Sequence, residues 1–265
     1  MEGLWGLGLG LIETGLALAI FFVLVRRGWP GEDDDCIARD DCHCERIRPG
    51  GIKQPSNTWS NLAFVVVGML ILYSTGGARA VSGNPIATVS FYPISYGLLV
   101  ISLGLGSMFF HASMKKWGSI VDNLVMYWFL SFVVLYDIYR VLDASNLGMF
   151  ILIFLFLNVA LAVVRFLNEG SERYVFPVLF LWLIIIEILI STGAFGDIGL
   201  AREFLPWLVL EVVTFAVAFG IWLLSGTGKP LCRPDSWIQG HAVWQILGAL
   251  AAGFLYLNLL AESLS

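Results

Sequence analysis

The chain has 265 residues, of which 58% are hydrophobic and 13% charged, with a mean hydropathy of +0.82. Soluble domains carry about 25% charged residues, so a soluble globular fold is excluded. The apolar runs do not alternate as the strands of a membrane β-barrel do. The net charge of −5 sits almost wholly between the apolar runs and forms no basic stripe of the kind nucleic acid requires.

Runs of about 20 apolar residues are long enough to cross a bilayer as helices, and eight are predicted. The first covers 3–25 and is bounded by Arg26 and Arg27. It lacks a basic leading region and a small-residue cleavage site, and reads as a retained anchor. A polar segment, 26–56, follows, with the acidic run Glu32-Asp33-Asp34-Asp35, then Cys36, Cys42, His43 and Cys44. The remaining spans are predicted at 58–75, 88–110, 119–138, 147–166, 175–194, 205–225 and 240–260. Short connections favour antiparallel neighbours. The expected fold is therefore all-α and polytopic: an amino-terminal membrane helix (1–27), a polar cysteine-containing loop (28–56) and a seven-helix membrane domain (57–265).

Basic residues in short loops mark the cytoplasmic side. With 26–57 on a side designated A, loops 111–118, 165–174 and 226–239 fall there too. Side A holds twelve of the fifteen Lys and Arg residues; side B holds Arg79, Arg140 and Arg202. The rule makes side A cytoplasmic and puts Met1 and Ser265 outside. The cysteines point the other way: Cys36, Cys42, Cys44 and Cys232 all lie on side A, and disulfides prefer oxidising compartments. The expected orientation nevertheless follows the charge rule, with the site open to the cytoplasmic face. Disulfides, a structural zinc site and free thiols are all compatible with their spacing, and three pairings are open.

Chemistry concentrates at the side A end. Ser107 and His111 are four residues apart and share a helix face, as do His241 and Gln245. Asp122 follows about one turn into the next span, beyond a hinge holding Lys115 and Lys116. A single imidazole or carboxylate at a membrane edge is commonly an interfacial or packing residue. Two of three histidines at one depth, with an acid and an alcohol at helical spacing, instead point to a zinc hydrolase site. Imidazole is the commonest zinc donor, zinc activates water and polarises carbonyls, a carboxylate accepts a proton and a hydroxyl stabilises an oxyanion.

Elsewhere the bland reading is preferred. His43 reads as a polar loop residue, Asp137 and Arg140 as a local ion pair, and the Phe and Trp residues as lipid-facing or interfacial. Glu13, Glu187 and Glu211 lie inside spans, where carboxyls are paired or functional; they read as hydrogen-bonded between helices.

Together, Ser107-x3-His111-x10-Asp122, Gly240-His241-Ala242-Val243-Trp244-Gln245 and Gln54-Pro55-Ser56-Asn57-Thr58-Trp59-Ser60-Asn61 resemble the motifs of the alkaline ceramidases and the wider superfamily of seven-helix membrane hydrolases. The resemblance covers about residues 41–260. It implies a zinc-dependent amidase that releases a fatty acid and a sphingoid base from a membrane lipid. By it, His111 and His241 are zinc ligands, Asp122 orients or deprotonates a water, and Ser107 stabilises the oxyanion. It also implies a disulfide between Cys44 and Cys232, leaving Cys36 and Cys42 to pair. Gln245 stands at the family's third zinc-ligand position, normally His, and an amide oxygen is a weaker donor. Gln245 as a weak metal ligand, Asp122 in its stead, and an empty non-catalytic site are the three readings of that departure. Of a calcium site built by some members only Glu45 survives, with Ile47 and Gln54 at other positions, so calcium is not expected. A lipid-binding or receptor-like protein and a transporter using Glu187 and Glu211 are the alternatives to a hydrolase.

Overall fold

The structure is a computed structural model that describes residues 2–37, 43–75, 84–168, 170–191, 194, 198–199, 205–261 and 263–264. In chain order the helices are α1 (Glu2–Arg27), α2 (Pro55–Trp59), α3 (Leu62–Ser74), α4 (Pro85–Thr88), α5 (Phe91–Ser113), α6 (Lys116–Val141), α7 (Leu147–Leu167), α8 (Glu172–Ser191), α9 (Leu205–Ser225) and α10 (Gly240–Ala261). Among the described residues eight segments are long and apolar enough to span a membrane, α2 and α3 together forming one of them. A two-residue antiparallel pairing of Ile198–Gly199 with Ser263–Leu264 does not alter this all-α architecture.

Two boundaries differ from the sequence prediction in ways that matter for the site. The span ending at 110 continues to Ser113, so His111 lies inside α5 rather than in a loop. The hinge then shrinks to Met114, in the left-handed conformation that stops a helix, and Lys115, before α6 begins at Lys116. The span 58–75 starts earlier, at Pro55, whose fixed φ suits a first helical position.

Lipid tails give helices no hydrophobic reason to associate, so membrane helices meet through small residues. A Cβ added to Gly68 of α3 would stand 2.7 Å from the Gly97 carbonyl of α5, and one on Gly104 of α5 would stand 2.7 Å from the Asn61 carbonyl. These contacts hold the two helices backbone to backbone and fix the depth of the Asn57–Asn61 stretch against α5. Helix α1 leaves Leu4, Trp5 and Leu11 exposed to lipid and buries Phe21. The Phe21 ring meets Trp29 and Phe109 at 5.5 Å, pinning the side A end of α1 to α5. Phe132 and Phe150 are buried as well, in the cluster with Tyr96, Tyr136 and Tyr256. The reading of all Phe residues as lipid-facing is thus corrected: aromatic rings also fill the space between helices, where edge-to-face contacts reward them.

Several buried polar groups outside the side A end are paired between or along the helices. Arg140 donates to Asp137 at 3.0 Å, as the local spacing predicts. Asn258 of α10 donates to Glu187 of α8 at 3.2 Å, and Ser102 of α5 to Glu13 of α1 at 2.6 Å.

The polar segment before α2 is tied down on side A. Cys44 and Cys232, 188 residues apart, form a disulfide, so neither sulfur is available as a thiolate metal ligand. Cys36 is disulfide-bonded too, and Cys42 lies outside the described residues. Arg46 bonds both oxygens of Asp235, at 2.7 and 3.1 Å, and Lys115 and Lys116 pair with Asp33 and Glu32. The fully exposed Asp235 carboxyl is held below its usual range by the Arg46 hydrogen bond.

Candidate active site at the side A end of the bundle

The last turn of α5 is locked by the loop that precedes α2. The amides of Lys53 and Gln54 donate to the carbonyls of Ala112 and His111 at 3.0 and 3.1 Å. These carbonyls are among the four a helix leaves unsatisfied at its C-terminus, so the loop supplies the missing partners and runs beside the His111 ring. The loop itself is fixed by Glu45, which is 2% exposed. Its carboxyl oxygens accept from the Ser56 and Asn57 amides, both at 2.8 Å, at the start of α2. Burial pushes the Glu45 carboxyl above its usual range, against the lowering pull of those two amides and of Arg48.

Gln54 connects this anchor to the imidazole. Its Nε2 donates to the Glu45 carbonyl at 2.9 Å, which leaves its Oε1 as the acceptor facing Nδ1 of His111 at 2.8 Å. An amide oxygen cannot donate, so Nδ1 of His111 carries the proton and Nε2 presents a lone pair. That lone pair points at His241, in the first turn of α10, with the two Nε2 atoms 3.2 Å apart. Residues separated by 130 positions thus meet.

Gln245, one turn further along α10, is engaged at both ends. Its Nε2 donates to Oγ of Ser107 at 3.3 Å, and its Oε1 accepts from the Ser60 hydroxyl. Ser107 lies close enough to Asp122 to act on its carboxyl, and Asp122 is half-buried. All five residues singled out from the sequence therefore occupy one region.

A sixth joins them. The ring of His43, which sequence reasoning left as a polar loop residue, lies 4.5 Å from the ring of His241 and 5.2 Å from that of His111, centroid to centroid. The signal was present in the neighbouring residue. Cys44 binds the loop that leads into α10, and this carries His43 to the start of the helix that bears His241. His43 and Cys44 both adopt positive φ, 56° and 68°, a conformation costing non-glycine residues roughly 1–2 kcal/mol each unless their surroundings impose it.

The donor set fits a zinc ion in part. Donor nitrogens about 2.0–2.1 Å from a tetrahedral zinc stand roughly 3.3 Å apart, close to the separation of the two Nε2 atoms. A hydrogen bond from the other ring nitrogen to a side-chain oxygen, as His111 makes to Gln54, is the usual support of a metal-binding histidine. Among the described residues no three His, Cys, Asp or Glu side chains stand as a ready-made metal group.

A family model described as Ceramidase matches residues 52–264 of the chain, leaving α1 and the polar segment through Gly51 outside the match. A search of curated proteins found no match. With most of its length matched, including α2 with its buried Asn57, the α5–α6 pair and α10, the chain belongs to the ceramidase family of membrane-embedded amide hydrolases.

Proposed function

We propose that the protein is a zinc-dependent hydrolase of a ceramide-like lipid amide, yielding a sphingoid base and a fatty acid. The observation that carries this reading is the 3.2 Å approach of the His111 and His241 Nε2 atoms, with Ser107 and Asp122 nearby. Two imidazoles facing nitrogen to nitrogen inside a membrane protein have no packing purpose that apolar side chains would not serve better. His111 and His241 hold the ion, and bound there it supplies Lewis-acid polarisation of the amide carbonyl and acidifies a water.

The remaining steps belong to the chain's own residues. Asp122 accepts the proton of the attacking water and later delivers it to the departing amine nitrogen as the C–N bond breaks. The Ser107 hydroxyl turns from Asp122 to the developing oxyanion, while the Gln245 amide, donating to Oγ of Ser107, keeps that oxygen in place. The site lies at the side A ends of α5 and α10, so the acyl chain of a membrane lipid stays in the hydrocarbon while its amide meets the imidazoles. Incubation of the purified protein with zinc and a labelled ceramide tests the reading. Hydrolysis that is lost in His111→Ala supports it, and hydrolysis that persists in that variant overturns it.

A further inference from the structure

We infer that His43, from the disulfide-tethered loop, supplies the third imidazole of the zinc site in place of Gln245. The inference rests on the zinc reading above and names the donor that completes it. The rings of His43, His111 and His241 form a triangle with centroids 4.5, 4.9 and 5.2 Å apart. Three imidazoles bound through nitrogens about 2.0–2.1 Å from one ion have ring centroids roughly 5 Å apart. Since the three rings do not stand as a ready-made metal group, the assignment requires the His43 ring to turn about its side-chain bonds to present a nitrogen to the ion.

Gln245 is poorly placed for that role. Its oxygen, the one atom able to ligate, accepts from Ser60, and its nitrogen donates to Ser107. To bind metal through that oxygen, it would have to give up or share its contact with Ser60. An amide is also the weaker ligand for zinc beside imidazole.

The backbone tells the same way. His43 and Cys44 are consecutive non-glycine residues at φ 56° and 68°. Local strain of this kind persists where the surroundings over-determine it, commonly at binding sites. Here the surroundings are the Cys44–Cys232 disulfide and the bond from the Cys44 amide to Oγ1 of Thr227 at 3.3 Å, both on the segment leading into α10. The loop that carries His43 and the helix that carries His241 are thereby held in one frame, and three imidazoles from three separate segments converge.

The test is zinc titration of the full-length protein, disulfides intact, after removal of metal with a chelator. His43→Ala is expected to weaken zinc binding by about 100-fold or more, since even the loss of an outer partner costs 10–100-fold. Gln245→Ala is expected to keep zinc affinity within about tenfold of the parent. The reverse ranking overturns the inference. An independent count comes from the unmutated protein loaded with Co(II), whose paramagnetically shifted imidazole N–H resonances report coordinated histidines. Three such resonances support the assignment; two remove His43 while leaving the hydrolase reading standing. Absence of zinc binding in the unmutated protein sinks both.

Discussion

Nδ1 of His111 donates to Oε1 of Gln54 at 2.8 Å, and Gln54 is in turn aligned by its own bond to the Glu45 carbonyl. One side chain therefore sets the tautomer of the other. Gln54→Leu removes the acceptor and frees the ring, and zinc affinity is expected to fall 10–100-fold, as for other partners of metal-binding histidines. Gln54→Glu keeps an oxygen opposite Nδ1 and is expected to lose less. Chelator-competition titration of the two variants checks the order.

Ser107→Ala takes away the hydroxyl assigned to the oxyanion. Loss of one such donor commonly costs 10²–10³ in kcat. Turnover of a labelled ceramide is expected to drop by about that factor with KM nearly unchanged. A KM effect with intact kcat would assign Ser107 to substrate binding instead.

Much of this was legible in the chain itself. All eight spans follow from runs of apolar residues, because a bilayer leaves backbone amides no partner outside a helix. The pairing of Ser107 with His111 and of His241 with Gln245 follows from helical period. His43 was legible only indirectly, through its neighbour Cys44, because its place depends on a disulfide and two residues at positive φ, neither of which has a period. The role of Gln54 was hidden likewise: it acts through a loop running back along the end of α5, a contact between segments 57 positions apart.

The buried carboxyl of Glu45 carries a pH signature. Its folded-state pKa lies above the usual value of about 4.3. The unfolded chain therefore releases this proton first as pH rises. The stabilisation is complete below about pH 4.3 and is lost as pH climbs through the raised folded value. Glu45→Gln has no such proton to release. The apparent Tm of the parent is expected to decline relative to Glu45→Gln as pH rises from about 4 to 7, measured by thermal scans in detergent.

The Cys44–Cys232 disulfide and the basic loops give opposite orientations, and the disulfide is the stronger chemical constraint. Arg46, Arg48, Lys115 and Lys116 are ion-paired with Asp235, Asp33 and Glu32 on the same side. Side A is expected to face an oxidising compartment. In Cys44→Ser, the orphaned Cys232 is expected to react with a membrane-impermeant maleimide added to that compartment and not from the cytoplasm. Loss of the bond is expected to lower stability by about 2–5 kcal/mol.

His241 arrives on α10, and the cysteine that draws the His43 loop toward it, Cys232, is made only just before that helix. A nascent chain that has emerged only through α9 holds the imidazoles of His43 and His111 but neither His241 nor the sulfur that tethers the His43 loop. Competence toward lipid, on the proposed function, therefore waits for α10, and a polypeptide terminated before that helix is expected to be inert.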